Sequence, residues 1–200
     1  MGRPREHDER TAALLLAAAE RIVEEHGPEA LSVRRVASDV GTTTRAVYSL
    51  FESKGGLIAA LAAHGFDLLG AGVERLPTTS APQRDLVNAG LIFRRFATEH
   101  PSLFRIAFQQ NPSPLRTTPA VRAAAQSALD ALKSRIGRLH DAGLLGGYTI
   151  DEATLHFHAV CEGLAALELR GTFPSSAADR LWRRGLAGLV HGLAEQGGLS

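Results

Sequence analysis

Val33-Arg-Arg-Val-Ala-Ser-Asp-Val-Gly41-Thr-Thr-Thr-Arg-Ala-Val-Tyr-Ser-Leu-Phe51 is the stretch that decides the fold. It reads as two short helices that meet at one tight turn. Ser32 is a good N-cap for the first helix, and Gly41 suits the left-handed conformation that closes it. Val33, Val36, Ala37 and Val40 recur at helical spacing and Val47 answers them from the second helix, with Ala37 small where the two cross. Packing accounts for those residues. It does not account for Thr42, Thr43, Thr44 and Arg45, which place hydroxyls and a guanidinium where a core would want apolar side chains.

A recognition helix enters the major groove by its N-terminal end, where unpaired backbone N–H groups and the helix dipole attract phosphate and side chains reach base edges. The polar run sits at that end. Arg45 suits a bidentate contact to guanine, worth about 1–3 kcal/mol of discrimination, and Thr43 and Thr44 suit phosphate or a thymine methyl. Tyr48, one turn further on, and Lys54, at the start of the next helix, are placed for phosphates. Arg34 is placed for a flanking base or the backbone. Taken alone, such a run reads as a solvated helix face, and the net charge of +1 offers nucleic acid nothing. Locally the balance differs: residues 32–54 carry four basic side chains against two acidic ones.

Working outward, apolar residues repeat every three or four positions throughout and β-branched alternation is absent, which predicts an all-α chain. Gly and Pro divide it into about nine helices. The first runs from Asp8 to His26, with Leu15, Ala18, Ile22 and Val23 on one stripe, after a polar arm over Met1 to His7. The two short helices follow, and Ser53 caps a long fourth helix that reaches Leu76. Five more fit Gln83 to His100, Ser102 to Gln109, Pro119 to Ala142, Asp151 to Arg170 and Ser176 to Gln196. The apolar run Thr11 to Ala19 is about half the length of a membrane span, and Gly55 to Gly72 is interrupted by His64 and Asp67. A soluble cytoplasmic protein with no membrane partner is expected. Cys161 is the only cysteine, so no disulfide framework is available.

Val36-Ala37, Val40-Gly41, Ala46-Val47-Tyr48, Phe51, Ser53-Lys54 and Leu57 together resemble the signature of the TetR family of transcriptional regulators. The resemblance is close over about thirty residues and extends, with the preceding helix and its Gly27 exit, to the first third of the chain. It implies an N-terminal arm and helix-turn-helix DNA-binding domain over residues 1–53, followed by a ligand-sensing and dimerisation domain over 54–200. It also implies that Arg34, Thr43, Thr44, Arg45, Tyr48 and Lys54 occupy DNA-contacting positions. The pattern is broken in three places. Thr42 stands for an apolar residue, Leu50 for a common histidine, and Gly55-Gly56 for helix-favouring residues, which suggests a looser hinge.

The rest of the chain offers physical clues. Phe93, Phe96, Phe104, Phe108 and Phe157 fall on the central helices, where a bundle can leave an apolar pocket, with His100 and Cys161 as polar companions. Core filling is the plainer reading of any one of them. Together they form the candidate site for a largely apolar or aromatic effector. On the last two helices Phe157, Val160 and Leu164, then Trp182, Leu186, Leu189, Val190 and Leu193, form apolar stripes expected to pair with a second copy in a four-helix homodimer interface. Ala159 to Glu168 is similar to the sensor domain of a TetR subgroup with a Trp...His-Gly pattern, with Glu162 in place of the histidine.

Other classes fare worse. Gly70-Ala-Gly-Val-Glu-Arg75 lacks the third glycine of a dinucleotide fingerprint and follows a helix. His158 with Cys161 or Glu162 has metal-like spacing, but such a trio is more often a pocket wall, so no metal and no cofactor is expected. No nucleophile elbow, P-loop or HExxH occurs. The expected function is a DNA-binding regulator, a repressor released by its effector. A helical small-molecule carrier or interaction module without DNA binding is the alternative, and it leaves residues 32–54 unexplained. Double-stranded operator DNA, a second copy and a small effector are the expected partners, with paired readers about 34–36 Å apart, or a multiple of that.

Overall fold

The computed structural model describes residues 3–109 and 118–195, with side chains from residue 8 onward. Helices account for its regular structure: α1 (Arg3–His26), α2 (Val33–Val40), α3 (Thr44–Phe51), α4 (Lys54–Glu74), α5 (Pro82–Glu99), α6 (Pro101–Phe104), α7 (Pro119–Asp141), α8 (Ile150–Leu169) and α9 (Ser175–Ala194). A 3-10 turn, Pro28–Ala30, leads into α2, and α6 continues into a π-helical turn, Arg105–Gln109. The all-α expectation holds, and every expected helix is found among the described residues. α1 begins at Arg3 rather than Asp8. Met1, Gly2 and Gln196 lie outside the described residues.

Two compact units are present: Met1–Phe66 with His100–Ala125, and Asp67–Glu99 with Gln126–Ser200. In the first, α1 supplies Leu15, Ala18, Ala19, Ile22 and Val23 to a core completed by Val36 and Ala37 of α2, Val47 of α3 and Leu57 and Leu61 of α4, all buried. Each such side chain contributes roughly 1.5–3 kcal/mol on burial, alanines less, so this face of α1 holds the short helices that could not stand alone. Polar groups add direction. The Glu24 carboxylate accepts the N–H groups of Ser102 and Leu103, and the Ser102 hydroxyl donates to the Val23 carbonyl. These bonds cap α6 from α1.

In the second unit α5 packs against both α8 and α9, which also pack on each other. Phe93, Phe96, Phe157, Cys161, Trp182, Leu186 and Val190 are buried there. Gly90 permits the approach: a Cβ on it would lie 2.6 Å from Leu186 Cδ1 and 3.1 Å from Phe157 Cζ. Among the described residues no buried side-chain nitrogen or oxygen lacks a hydrogen-bond partner. Arg94 bonds both carboxylate oxygens of Glu168, and the Trp182 indole N–H donates to the same carboxylate at 2.6 Å. Arg135 closes the C-terminal end of α4 by donating to the carbonyls of Val73 and Glu74 in its last turn and of Leu76 and Pro77 just beyond it.

One helix among the described residues, α4, is long and apolar enough to cross a membrane. More than half of its apolar window is buried inside the protein, the position of a core helix.

Candidate nucleic-acid interface

Local chemistry sets the two short helices in place. The Ser32 hydroxyl accepts the Arg35 N–H at 3.2 Å, and Gly41 closes α2 at φ 71°. The N–H groups of Gly41 and Thr42 then return to the carbonyls of Ser38 and Ala37, so the last turn is satisfied and the chain reverses at once. Thr43 caps α3, its hydroxyl accepting the Ala46 N–H at 3.2 Å. Val47 faces inward with 1% of its surface exposed, which turns the other side of α3 outward.

Thr43, Thr44, Arg45 and Tyr48 are all exposed, Tyr48 by 51% of its surface. Arg34 on α2 and Lys54 at the head of α4 are exposed as well. The neighbouring charges are tied to α1: Arg35 bonds His26 at 3.0 Å, and Arg21 is paired with Asp39. Arg34, Arg45 and Lys54 form no ion pair among the described residues. Thr42 is half-buried in the turn. Ser49 was not picked out from the sequence, yet it is exposed one turn after Arg45, with its hydroxyl donating to the Ala46 carbonyl and its lone pairs open. Its i, i+4 spacing from Arg45 was the available signal.

The corner after α3 has a steric reason. Glu52 sits at φ 63°, ψ −40°, and the Phe51 carbonyl accepts the Ser53 N–H at 2.6 Å, a three-residue turn with positive φ. The Ser53 hydroxyl accepts the Gly56 N–H at 2.9 Å, the expected cap of α4. A Cβ on Gly56 would fall 1.9 Å from the Phe51 carbonyl oxygen. The second glycine, read from sequence as loosening a hinge, is therefore required by close backbone approach.

The other expected sites divide between the two units. His100 lies in the first with Phe104 and Phe108. Its Nδ1 is 3.0 Å from Glu20, which also faces His64 at 3.3 Å. A hydrogen bond from His64 lowers the Glu20 pKa, burial opposes this, and the charges of both histidines add to it. Phe104 stacks on Phe108, which meets Phe66 edge-on at 5.1 Å. In the second unit Phe93, Phe96, Phe157 and Cys161 are core side chains; Phe93 meets His158 edge-on, and burial pushes the Cys161 thiol up, which leaves it protonated and inert.

Burial divides the residues expected to pair with a second copy. Phe157, Trp182, Leu186, Val190 and Leu193 are each 2% exposed or less, in a core that α5, α8 and α9 build within the same chain. Val160, Leu164 and Leu189 are half-buried at the edge of that core. The open side of the two helices carries Leu155, Ala159, Gly163 and Leu167 on α8 and Leu181, Gly185, Gly188 and Gly192 on α9.

Family models match both ends of this architecture. Residues 15–61 match the model of bacterial regulatory proteins of the tetR family, and residues 86–189, just over half the chain, match the tetracyclin repressor-like C-terminal domain. The chain belongs to the TetR family. It is a DNA-binding transcription regulator of that family. Among solved structures, a protein of unknown function from Rhodococcus sp. RHA1 superposes with a TM-score of 0.83 at 24% identity, over 92% of this chain and 96% of that one. A TetR family transcription regulator from Marinobacter aquaeolei VT8 gives 0.69 at 21% identity, over 96% and 99%. The transcriptional regulator FadR from Bacillus subtilis, in complex with stearoyl-CoA, gives 0.73 at 14% identity, over 90% and 98%. At these identities the likeness is one of fold. No curated protein matches the chain in sequence.

Proposed function

We propose that this TetR-family chain is a cytoplasmic repressor that binds a pseudo-palindromic operator as a homodimer and leaves it when a small, largely apolar or aromatic effector binds. One observation carries the DNA reading: the open side of α3, where Thr44, Arg45, Tyr48 and Ser49 stand exposed while Val47 anchors the opposite side. A carrier without DNA binding gives no reason for that polarity. Residues 1–53 act as the reader, and residues 54–200 sense the effector and pair with a second copy. The stearoyl-CoA held by the B. subtilis neighbour supports an apolar effector. For the ligand to induce, the free dimer must favour the DNA-ready state and the effector must bind the other state more tightly.

Gel shifts on the intergenic DNA beside the protein's own gene test the reading. Salt-sensitive, sequence-selective binding is expected. Arg45→Ala should cost about 1–3 kcal/mol on the operator and little on unrelated DNA. Lys54→Ala should weaken both alike and flatten the salt dependence by about one charge. Binding that ignores both substitutions overturns the assignment of α3 and α4.

A further inference from the structure

Two adjoining clefts, of about 470 and 460 Å³, lie where α5 and α9 meet and share Arg183 in their walls. Either is large enough for a small molecule. The first has an apolar floor from Leu91 and Ile92, and guanidinium groups from Arg94, Arg95 and Arg183 against a single carboxylate, Asp179. The second adds Arg84 and the apolar Val87 and Ala187.

These arginines differ in what they have left to offer. Arg94 is spent, since its Nε and Nη2 are bonded to Glu168. Arg183 gives Asp179 only its Nε, at 2.9 Å, so its two terminal amino groups stay open. Arg95 stands 3.9 Å from Glu99, beyond hydrogen-bond reach, in an exposed pair of little strength. Two donor-rich cations on different helices thus flank one apolar floor. An anionic head with an apolar body complements that arrangement, because the charged guanidinium donors bond an anion more strongly than a neutral group.

We propose that the α5–α9 cleft is a second small-molecule site, for an amphipathic anion whose acidic group is held by Arg95 and Arg183 over Leu91 and Ile92. The site is separate from the DNA reader and from the aromatic residues assigned to the effector. It also lies clear of the open helix face described above: Arg183, Ala187 and His191 recur on the α5 flank of α9, and Leu181, Gly185, Gly188 and Gly192 recur on the other flank.

Fluorescence titration of the full chain with 8-anilinonaphthalene-1-sulfonate and with N-phenyl-1-naphthylamine, the same dye without its sulfonate, tests this without reference to DNA. The sulfonate is expected to bind at least tenfold more tightly than the neutral dye, and less tightly as salt rises. The double variant Arg95→Gln/Arg183→Gln should lose at least tenfold of the sulfonate affinity. Asn88→Asp adds a negative charge to the cleft wall without removing an ion pair, and should weaken the sulfonate several-fold with the melting curve unchanged. Equal binding of the two dyes, no sulfonate binding, or sulfonate affinity indifferent to Asn88→Asp overturns the proposal.

Discussion

Asp85 illustrates how one side chain acquires a pH dependence. It is 2% exposed, and burial alone would raise its pKa. The Thr79 N–H and hydroxyl and the Arg138 guanidinium outweigh that and pull it down to about 2. An unfolded aspartate ionises near 3.9, so the folded state favours the carboxylate and gains stability above that pH. The gain is expected to disappear as pH falls from about 4 toward 2. Asp85→Asn should therefore melt below the parent at neutral pH, with the difference closing across that window in thermal melts. A constant difference would show that the carboxylate's charge is not what matters. At the reader, Arg34 and Arg35 are adjacent in sequence and indistinguishable by composition. Arg35 is committed to His26 while Arg34 stands open, because the helix turns one arginine toward α1 and the other away.

The corner between α3 and α4 sets its own demands. Glu52 holds a positive φ that a non-glycine residue adopts at a cost of roughly 1–3 kcal/mol. Glu52→Gly should relieve more than the roughly 0.4–1 kcal/mol it adds in unfolded-state entropy, for a net gain near 1 kcal/mol in urea unfolding. Gly56→Ala should do the opposite, costing about 1–3 kcal/mol, because its methyl meets a backbone carbonyl that cannot move aside without opening the turn. If Gly56→Ala is neutral in the same measurement, the corner is looser than its geometry. The helices themselves were legible in advance. Caps at Ser32 and Ser53, the Gly41 stop and the apolar stripe of α1 are local signals that need no distant partner. The turn at Glu52 was not legible, because glutamate carries no preference for positive φ and Phe51 and Gly56 must both be in position before the need for it arises.

Assembly separates two kinds of apolar residue on α8 and α9. Leu186 is wholly buried beneath α5, so Leu186→Ala should cost about 2–5 kcal/mol of chain stability without a specific effect on association. Leu155 is 66% exposed on the open face that also carries Gly163, Gly185, Gly188 and Gly192. If the proposed homodimer pairs through that face, Leu155→Glu with Gly188→Glu should leave the melting temperature of the chain nearly unchanged, shift sedimentation from dimer to monomer, and weaken operator binding by removing the paired half-site. A double variant that still sediments as a dimer places the interface elsewhere.

Helical periodicity, capping residues and the polar run of α3 depend on neighbours a few positions away, and for that reason the all-α fold, the course of the helices among the described residues and the exposed polar side of α3 could be taken from the order of residues alone. Long-range packing decided the rest. An apolar stripe on α9 satisfies the same physics whether α5 or a second molecule covers it, and only the folded chain shows that α5 does. Arg95 and Arg183 are likewise far apart along the chain, and they share a cleft only because α5 and α9 pack side by side.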